Sequence, residues 1–297
     1  MKRLQVSFDG IHDSTGYLFS LAKCLYASLK CSPYADKADD IIAASGFAFR
    51  MWADKKALCS SATSIWDFKQ QKPWVENAGL TCAYVERIWH EDAAEEERRR
   101  QAIDMIRTAI EHGFAPVAWD ISGCEWGLIV GYEDETSALL TLKIDGNEQS
   151  LPYEKLGRLE IPILSVLAVT GHSSKEEAQI VADTKRLAVS HLRGEEWCEN
   201  ACGLAAYDAL IAFVHQKLSA DNAWNLAYML GTYAALKWYA WQFFAKYGET
   251  ELAALYRTVD ECWQQAFESR QHDKNSLIDL LQHAKEAESR AMEIMSR

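Results

Sequence analysis

Two hydrophobic patterns divide the chain, and the change comes near residue 171. Before it, short apolar runs bounded by polar turns predict strands over residues 46–52, 80–88, 116–119, 126–132, 139–144 and 163–170. Apolar positions at helical spacing predict a helix from Asp13 or Ser14 to about Lys30, with Leu18, Leu21, Leu25 and Leu29 on one face. A short helix is expected near 37–44, another over 64–77 bent or split by Pro73, and the clearest over 91–112. In that last helix Glu95, Glu96 and Glu97 precede Arg98, Arg99 and Arg100, the favourable order for i,i+4 ion pairs, and Gly113 supplies the stop. Few helices separate the later strands, so a mainly antiparallel sheet is expected.

Past Gly171, His172, Ser173 and Ser174 the apolar stretches take the helical period. Ser174 and Glu177 have the spacing of a capping box. Helices are predicted near 175–192, 202–218, 222–247, 249–268 and 276–295, with no strand after 170. The expected fold class is α+β, with an α+β domain over 1–171 and an all-α helical bundle over 172–297. The helix over 222–247 carries Trp224, Tyr228, Tyr233, Trp238, Tyr239, Trp241, Phe243 and Phe244, so it is apolar on most sides. It reads as the bundle's central helix or as an aromatic surface for a second subunit.

Composition narrows the partners. A net charge of −12 and a pI near 5.2 argue against nucleic acid and against an anionic membrane surface. No apolar run is long enough to span a membrane, and none follows Lys2 and Arg3 as a secretory signal would require. Eight cysteines without paired spacing fit reduced thiols, so a cytoplasmic protein is expected.

The chemistry concentrates in a few places. Gly123-Cys124-Glu125-Trp126 reads as a tight turn entering a buried strand, and the next strand runs up to Asp145. Gly10-Ile11-His12-Asp13-Ser14-Thr15 opens an apolar helix, Ser45 to Arg50 is followed by Leu58-Cys59-Ser60-Ser61, and Ala115-Pro116-Val117-Ala118-Trp119-Asp120 precedes the turn. Together these resemble papain-like cysteine peptidases, in particular the group containing the bacteriocin-processing peptidases and the N-terminal domain of butirosin biosynthesis protein H. The resemblance implies a papain-like domain over 1–171. In such a domain a Cys at the start of the first helix is the nucleophile, a His opens a strand, and an Asp or Asn closes the next. The matching positions here are Asp13, Glu125 and Asp145. Three carboxylates in one cleft cannot all ionise cheaply, so at least one pKa should rise.

Three functions follow as expectations. The first is a catalytically degenerate protein that binds a small molecule or peptide in the former active-site cleft, with His12, Arg50, Asp120 and Trp126 contributing to the lining. The second is an acyl or aminoacyl transferase, or an amide hydrolase, in which Cys59 substitutes as nucleophile, with His12 or His90 as base. The third is an interaction module that forms a homodimer. Simpler readings stand beside them: Asp13 as a helix cap, Glu125 as a solvent-facing turn residue, and Asp145 as a hairpin residue. Arg50 is either an anion clamp or the partner of Asp13, Asp120 or Glu125 in an ion pair. Asp13, Glu125, Asp145 and His12 would form an oxygen-rich cation set, but no ligand spacing supports it. His191, Cys198 and Cys202 are too irregularly spaced for zinc and read as core, so neither metal nor cofactor is expected.

Overall fold

The apolar runs between residues 80 and 172 fold into one antiparallel sheet, joined in sequence to a helical region; the protein is α+β. The computed structural model describes residues 1–64, 67–196, 199–271 and 273–297. The chain divides into two units that are not separated by a single cut. One comprises Met1–Ile11, Ser20–Ile41 and Phe68–Lys175; the other comprises His12–Phe19, Ile42–Asp67 and Glu176–Arg297.

In the first unit the sheet has seven strands: β1 (Lys2–Arg3), β3 (Leu80–Arg87), β4 (Val117–Ala118), β5 (Gly127–Glu133), β6 (Ala138–Leu142), β7 (Glu148–Pro152) and β8 (Leu164–His172). Their order is β3-β8-β4-β5-β6-β7, and β1 pairs with the far end of β5. Gly131 permits that pairing, because a Cβ there would lie 2.5 Å from the Lys2 carbonyl oxygen. Most of β5 is buried, as its unbroken apolar run implies. Helix α4 (Glu95–Glu111) packs Ala102, Ile106 and Ile110 against Ile129, Tyr132, Leu139 and Val166. A bulge between Ile129 and Gly131 lets Ile129 and Tyr132 face the same core despite their odd spacing. Glu95 anchors the start of α4: it pairs with Arg99 at 2.5 Å, with buried Arg87 at 3.0 Å and with Arg158.

Helix α1 (Ser20–Lys30) is buried on nearly every side, beyond the single leucine face expected, and packs on β4 and β5. It also starts later than expected. Gly16 takes φ +77°, and the Asp13 carboxylate accepts the amides of Gly16 (2.9 Å) and Leu18 (3.1 Å), so residues 13–19 form a turn instead of helix. Helix α3 (Gln71–Asn77) holds Pro73 in its first turn, where a missing N–H costs nothing. Residues 65 and 66 of the helix expected over 64–77 lie outside the described residues.

The second unit contains α5 (Glu177–Arg193), α6 (Leu204–Gln216), α7 (Ala223–Lys246), α8 (Thr250–Ser269) and α9 (Lys274–Met295). Helix α7 is buried along most of its length, as its apolar circumference predicts. Two expectations need correction. The strand over 46–52 is absent: Gly46 at φ +84° and the bonds from the Phe49 and Arg50 amides to the Gly46 carbonyl coil this segment. Only β2 (Trp52–Ala53) is extended, and it pairs with β9 (Ala201–Cys202), a strand that the helical pattern concealed. The Ser174 capping box does not form, because α5 begins two residues later, with Glu176 at the N-cap and no side-chain bond there. Among the described residues no helix is long and apolar enough to cross a membrane.

Inside this unit lies a charged core. Lys237 donates to Glu288 at 2.6 Å with both side chains fully buried. Tyr207 donates to the other Glu288 oxygen at 2.7 Å and accepts the Trp263 indole N–H at 2.8 Å. Removing one member strands the other charge in a low-dielectric interior. Lys237→Met alone should therefore cost about 3–5 kcal/mol in urea unfolding, while Lys237→Met with Glu288→Leu should recover most of that loss.

Candidate functional site

Glu125 stands at the head of β5, two residues before its first paired residue, on a turn that begins at Asp120. Asp120 has φ +63° and Cys124 φ +58°, so the turn uses left-handed backbone at two non-glycine positions. Asp120 holds it closed: its buried carboxylate accepts the Cys124 amide at 2.7 Å and the Ile161 amide at 2.8 Å. The Ser122 amide closes the loop onto the Glu125 carbonyl at 3.2 Å. Asp120 is thus the brace of this turn.

Across from the turn stands the first residue of α1. Ser20 donates its hydroxyl proton to Glu125 Oε2, and its oxygen accepts the Trp126 amide at 3.4 Å. Burial raises the Glu125 carboxyl above its ordinary value, and the Ser20 bond only partly opposes this. Two thiols flank the pair. Cys24 lies one turn beyond Ser20 on α1, fully buried, and burial pushes its pKa far up, opposed in part by the charge of Lys23 and helped by that of Glu125. Cys124 precedes Glu125; burial and then the charge of Asp120 push its thiol up as well. A thiolate is disfavoured at both positions.

Trp126 is fully buried, with its ring 5.2 Å from that of Trp119, and each lies 5.8 Å from Phe68. Gln71 beside them donates to Ser165 Oγ at 2.8 Å, and the Trp119 amide bonds the Ser165 carbonyl at 3.0 Å. Among the described residues the Nε1 of both tryptophans and the Oε1 of Gln71 have no hydrogen-bond partner. Such buried, unmet polar atoms cost about 1–3 kcal/mol each.

The same turn borders a cavity of about 270 Å3, reached by Asp120 and Gly123, by Thr141 and Lys143 at the end of β6, by Gln149 on β7 and by Glu160. Lys143 and Glu160 bring charges of opposite sign to its lining.

The remaining expected residues fall elsewhere. Asp145 shares the end of the β5–β6 ladder with Glu125 but is exposed in the β6–β7 hairpin, where its carboxylate accepts the Asn147 amide and side-chain N–H, both at 2.9 Å. Those bonds lower its pKa. Among the described residues no hydrogen bond links Asp145 to Glu125. Asp13 belongs to the helical unit, where it closes the turn over 13–18.

His12, also in that unit, stacks on Trp238 with ring centroids 3.9 Å apart, and its backbone exchanges bonds with the Tyr239 hydroxyl. Burial lowers its pKa, and the charge of Asp13 partly opposes this. Arg50 is no open clamp. Its Nε bonds Glu196 at 2.8 Å, its other nitrogens reach the Thr63 and Ser64 carbonyls, and its plane covers Trp52 at 3.9 Å. The ion-pair reading therefore holds, with Glu196 as partner in place of Asp13, Asp120 or Glu125.

Cys59 is exposed; its thiol meets Ser61 Oγ at 3.0 Å and its amide bonds Asp54. No described histidine bonds it. His191 is buried, its pKa brought down to about 3 by burial and the charges of Arg50 and Lys237, while Cys198 lies outside the described residues. Among the described residues no group of His, Cys, Asp and Glu could hold a metal ion.

Sequence reasoning missed Ser20, Lys143 and Glu160. Gly16 was the available signal for Ser20, since a glycine in a left-handed turn delays the helix start. No family model matches the chain, and no curated protein matches it.

The pKa direction of Glu125 gives a pH test. A carboxyl raised by folding favours its neutral form, so its stabilising contribution is complete below the unfolded value near 4.5 and is lost as pH rises through the higher folded value. Urea midpoints measured from pH 4 to 8 should fall more in the parent protein than in Glu125→Gln.

Proposed function

We propose that the sheet-bearing unit is a papain-like frame without thiol chemistry, and that it binds a small polar molecule or a short peptide at the turn formed by residues 120–125. The observation that carries this reading is the Ser20–Glu125 bond. It sets a hydroxyl at the head of a buried helix against a carboxylate at the head of a strand, where papain-like enzymes set a thiol against an imidazole. Thiol catalysis needs a thiolate stabilised by a neighbouring cation. Here burial favours the inert protonated form of both nearby thiols; carboxylates add to it at Cys124, and the one cation near Cys24, Lys23, only partly opposes it.

Binding draws support from the cavity on the other side of the turn. Its volume lies just below the usual range for drug-sized ligands, which suits a small one. Lys143 and Glu160 offer a cation and a carboxylate to a ligand bearing both charges, and the Thr141 and Ser150 hydroxyls add neutral hydrogen-bonding groups. A free dipeptide meets that description, with one terminus for each charge.

The purified protein should not cleave fluorogenic peptides, and Cys24→Ser, Cys59→Ser and Cys124→Ser should leave that null rate unchanged. At least one member of a panel of free dipeptides should add about 2.7 kcal/mol of stability at a hundredfold excess over Kd, read as a rise in Tm. That gain should disappear in Lys143→Ala and in Glu160→Ala. Peptide cleavage abolished by replacing a single cysteine would overturn the catalytic half of the reading, and a panel without any shift would overturn the binding half.

A further inference from the structure

A second cavity in the sheet-bearing unit lies apart from the residues of that turn. It has a volume of about 360 Å3 and opens between the later turns of α4 and the strands β3 and β8. Five of its residues are apolar: Ala83 on β3, Met105 and Ala109 on α4, Phe114 beyond the helix, and Val169 on β8. Alanine at 83 and 109 leaves room that a larger side chain would fill. The volume falls within the range of small-molecule sites, and a mostly apolar wall with few polar groups is their usual composition.

The polar part of the lining is Asp104, Thr108, His112 and Thr170. Asp104 is the one carboxylate in the lining, and neither Lys nor Arg joins it. Arg100 lies 3.8 Å from Asp104 but gives its shorter bonds to Glu97, the closest at 2.6 Å. His112 donates its Nδ1 proton to the Thr108 carbonyl at 2.7 Å, so in the neutral ring Nε2 is an acceptor. The cavity also follows the C-terminal half of a 17-residue helix, whose dipole places partial negative charge there. Carboxylate, imidazole acceptor and helix end all favour a positive or proton-donating head group.

We infer that this cavity binds a small amphipathic amine, with its ammonium group at Asp104 and His112 and its apolar body against Ala83, Met105, Ala109, Phe114 and Val169. The site is independent of the ligand proposed for the 120–125 turn.

Three probes of similar shape separate the contributions: 2-phenylethylamine, 2-phenylethanol and 3-phenylpropionate, each titrated into the full-length 15N-labelled protein. The amine should shift the backbone amides of Thr108, Ala109 and Thr170 in a saturable way. The alcohol should bind about fivefold more weakly, as the loss of one partly exposed charge pair implies, and the acid more weakly still. Asp104→Asn should bring the amine to the level of the alcohol, and Ala109→Leu should abolish binding of both. If Ala109→Leu loses the native spectrum, Ala83→Leu fills the same space from the sheet side. An alcohol or acid that binds as well as the amine, shifts confined to other residues, or a filled cavity that still binds would overturn the inference, as would an amine that produces no saturable shift.

Discussion

A carboxylate taken out of water has to be answered by protons or positive charge, and that requirement organises both units. In the helical unit Glu288 is the sharpest case. It has no exposed surface, and Lys237 and Tyr207 reach it from two other helices. Three helices are thereby fixed in rotation about their axes, a degree of freedom that apolar packing alone leaves loosely specified. Glu196 plays a similar part for the irregular segment that follows α2 (Ile41–Ala44), because its bidentate bond to Arg50 holds a coil with no ladder of its own. In the sheet-bearing unit Glu95 gathers Arg87, Arg99 and Arg158.

Glu125 is the exception. Among the described residues the Ser20 hydroxyl is its one side-chain hydrogen-bond partner, so its charge is the least compensated of these carboxylates. Natural proteins retain such under-compensated groups most often where a site is built, though structural networks also shift pKa values. The unmet indole N–H groups of Trp119 and Trp126 belong to the same neighbourhood. Asp120 shows the opposite arrangement: both its oxygens are matched by backbone amides, so it fixes geometry and leaves no oxygen unmatched.

Much of the sheet could be read from the sequence because its central strands β5 and β8, buried along most of their length, leave nearly unbroken apolar runs. The runs at 80–88, 126–132, 139–144 and 163–170 each match an observed strand to within a few residues. Strand β7 escaped because an exposed edge strand, with Glu148, Gln149 and Ser150 facing water, carries no hydrophobic signal. Residues 46–52 misled for the opposite reason. Phe47, Ala48, Phe49 and Arg50 are all buried, so the apparent alternation reflects a coil wrapped by helices and not a two-sided strand. At the candidate site, Glu125 and Asp120 could be picked out as residues, but their roles could not. Whether a carboxylate braces a turn or faces a hydroxyl depends on partners such as Ile161 and Ser20, 41 and 105 residues away. Arg50 illustrates the same limit, since its partner lies 146 residues downstream.

The interleaved division of the chain has a consequence for biosynthesis. Residues 12–19 and 42–67 leave the ribosome early, yet the helices that bury Phe47, Phe49 and Trp52 are not translated until after residue 176. Until then Phe47 has Phe19 and Trp52 has Arg50 beside it, but their helical partners are missing, and long-range closure of this kind slows folding and exposes sticky surface. The nascent protein must therefore hold an unfinished, apolar loop in solution through the synthesis of more than a hundred residues. Any fragment ending near residue 175 would carry that exposure permanently.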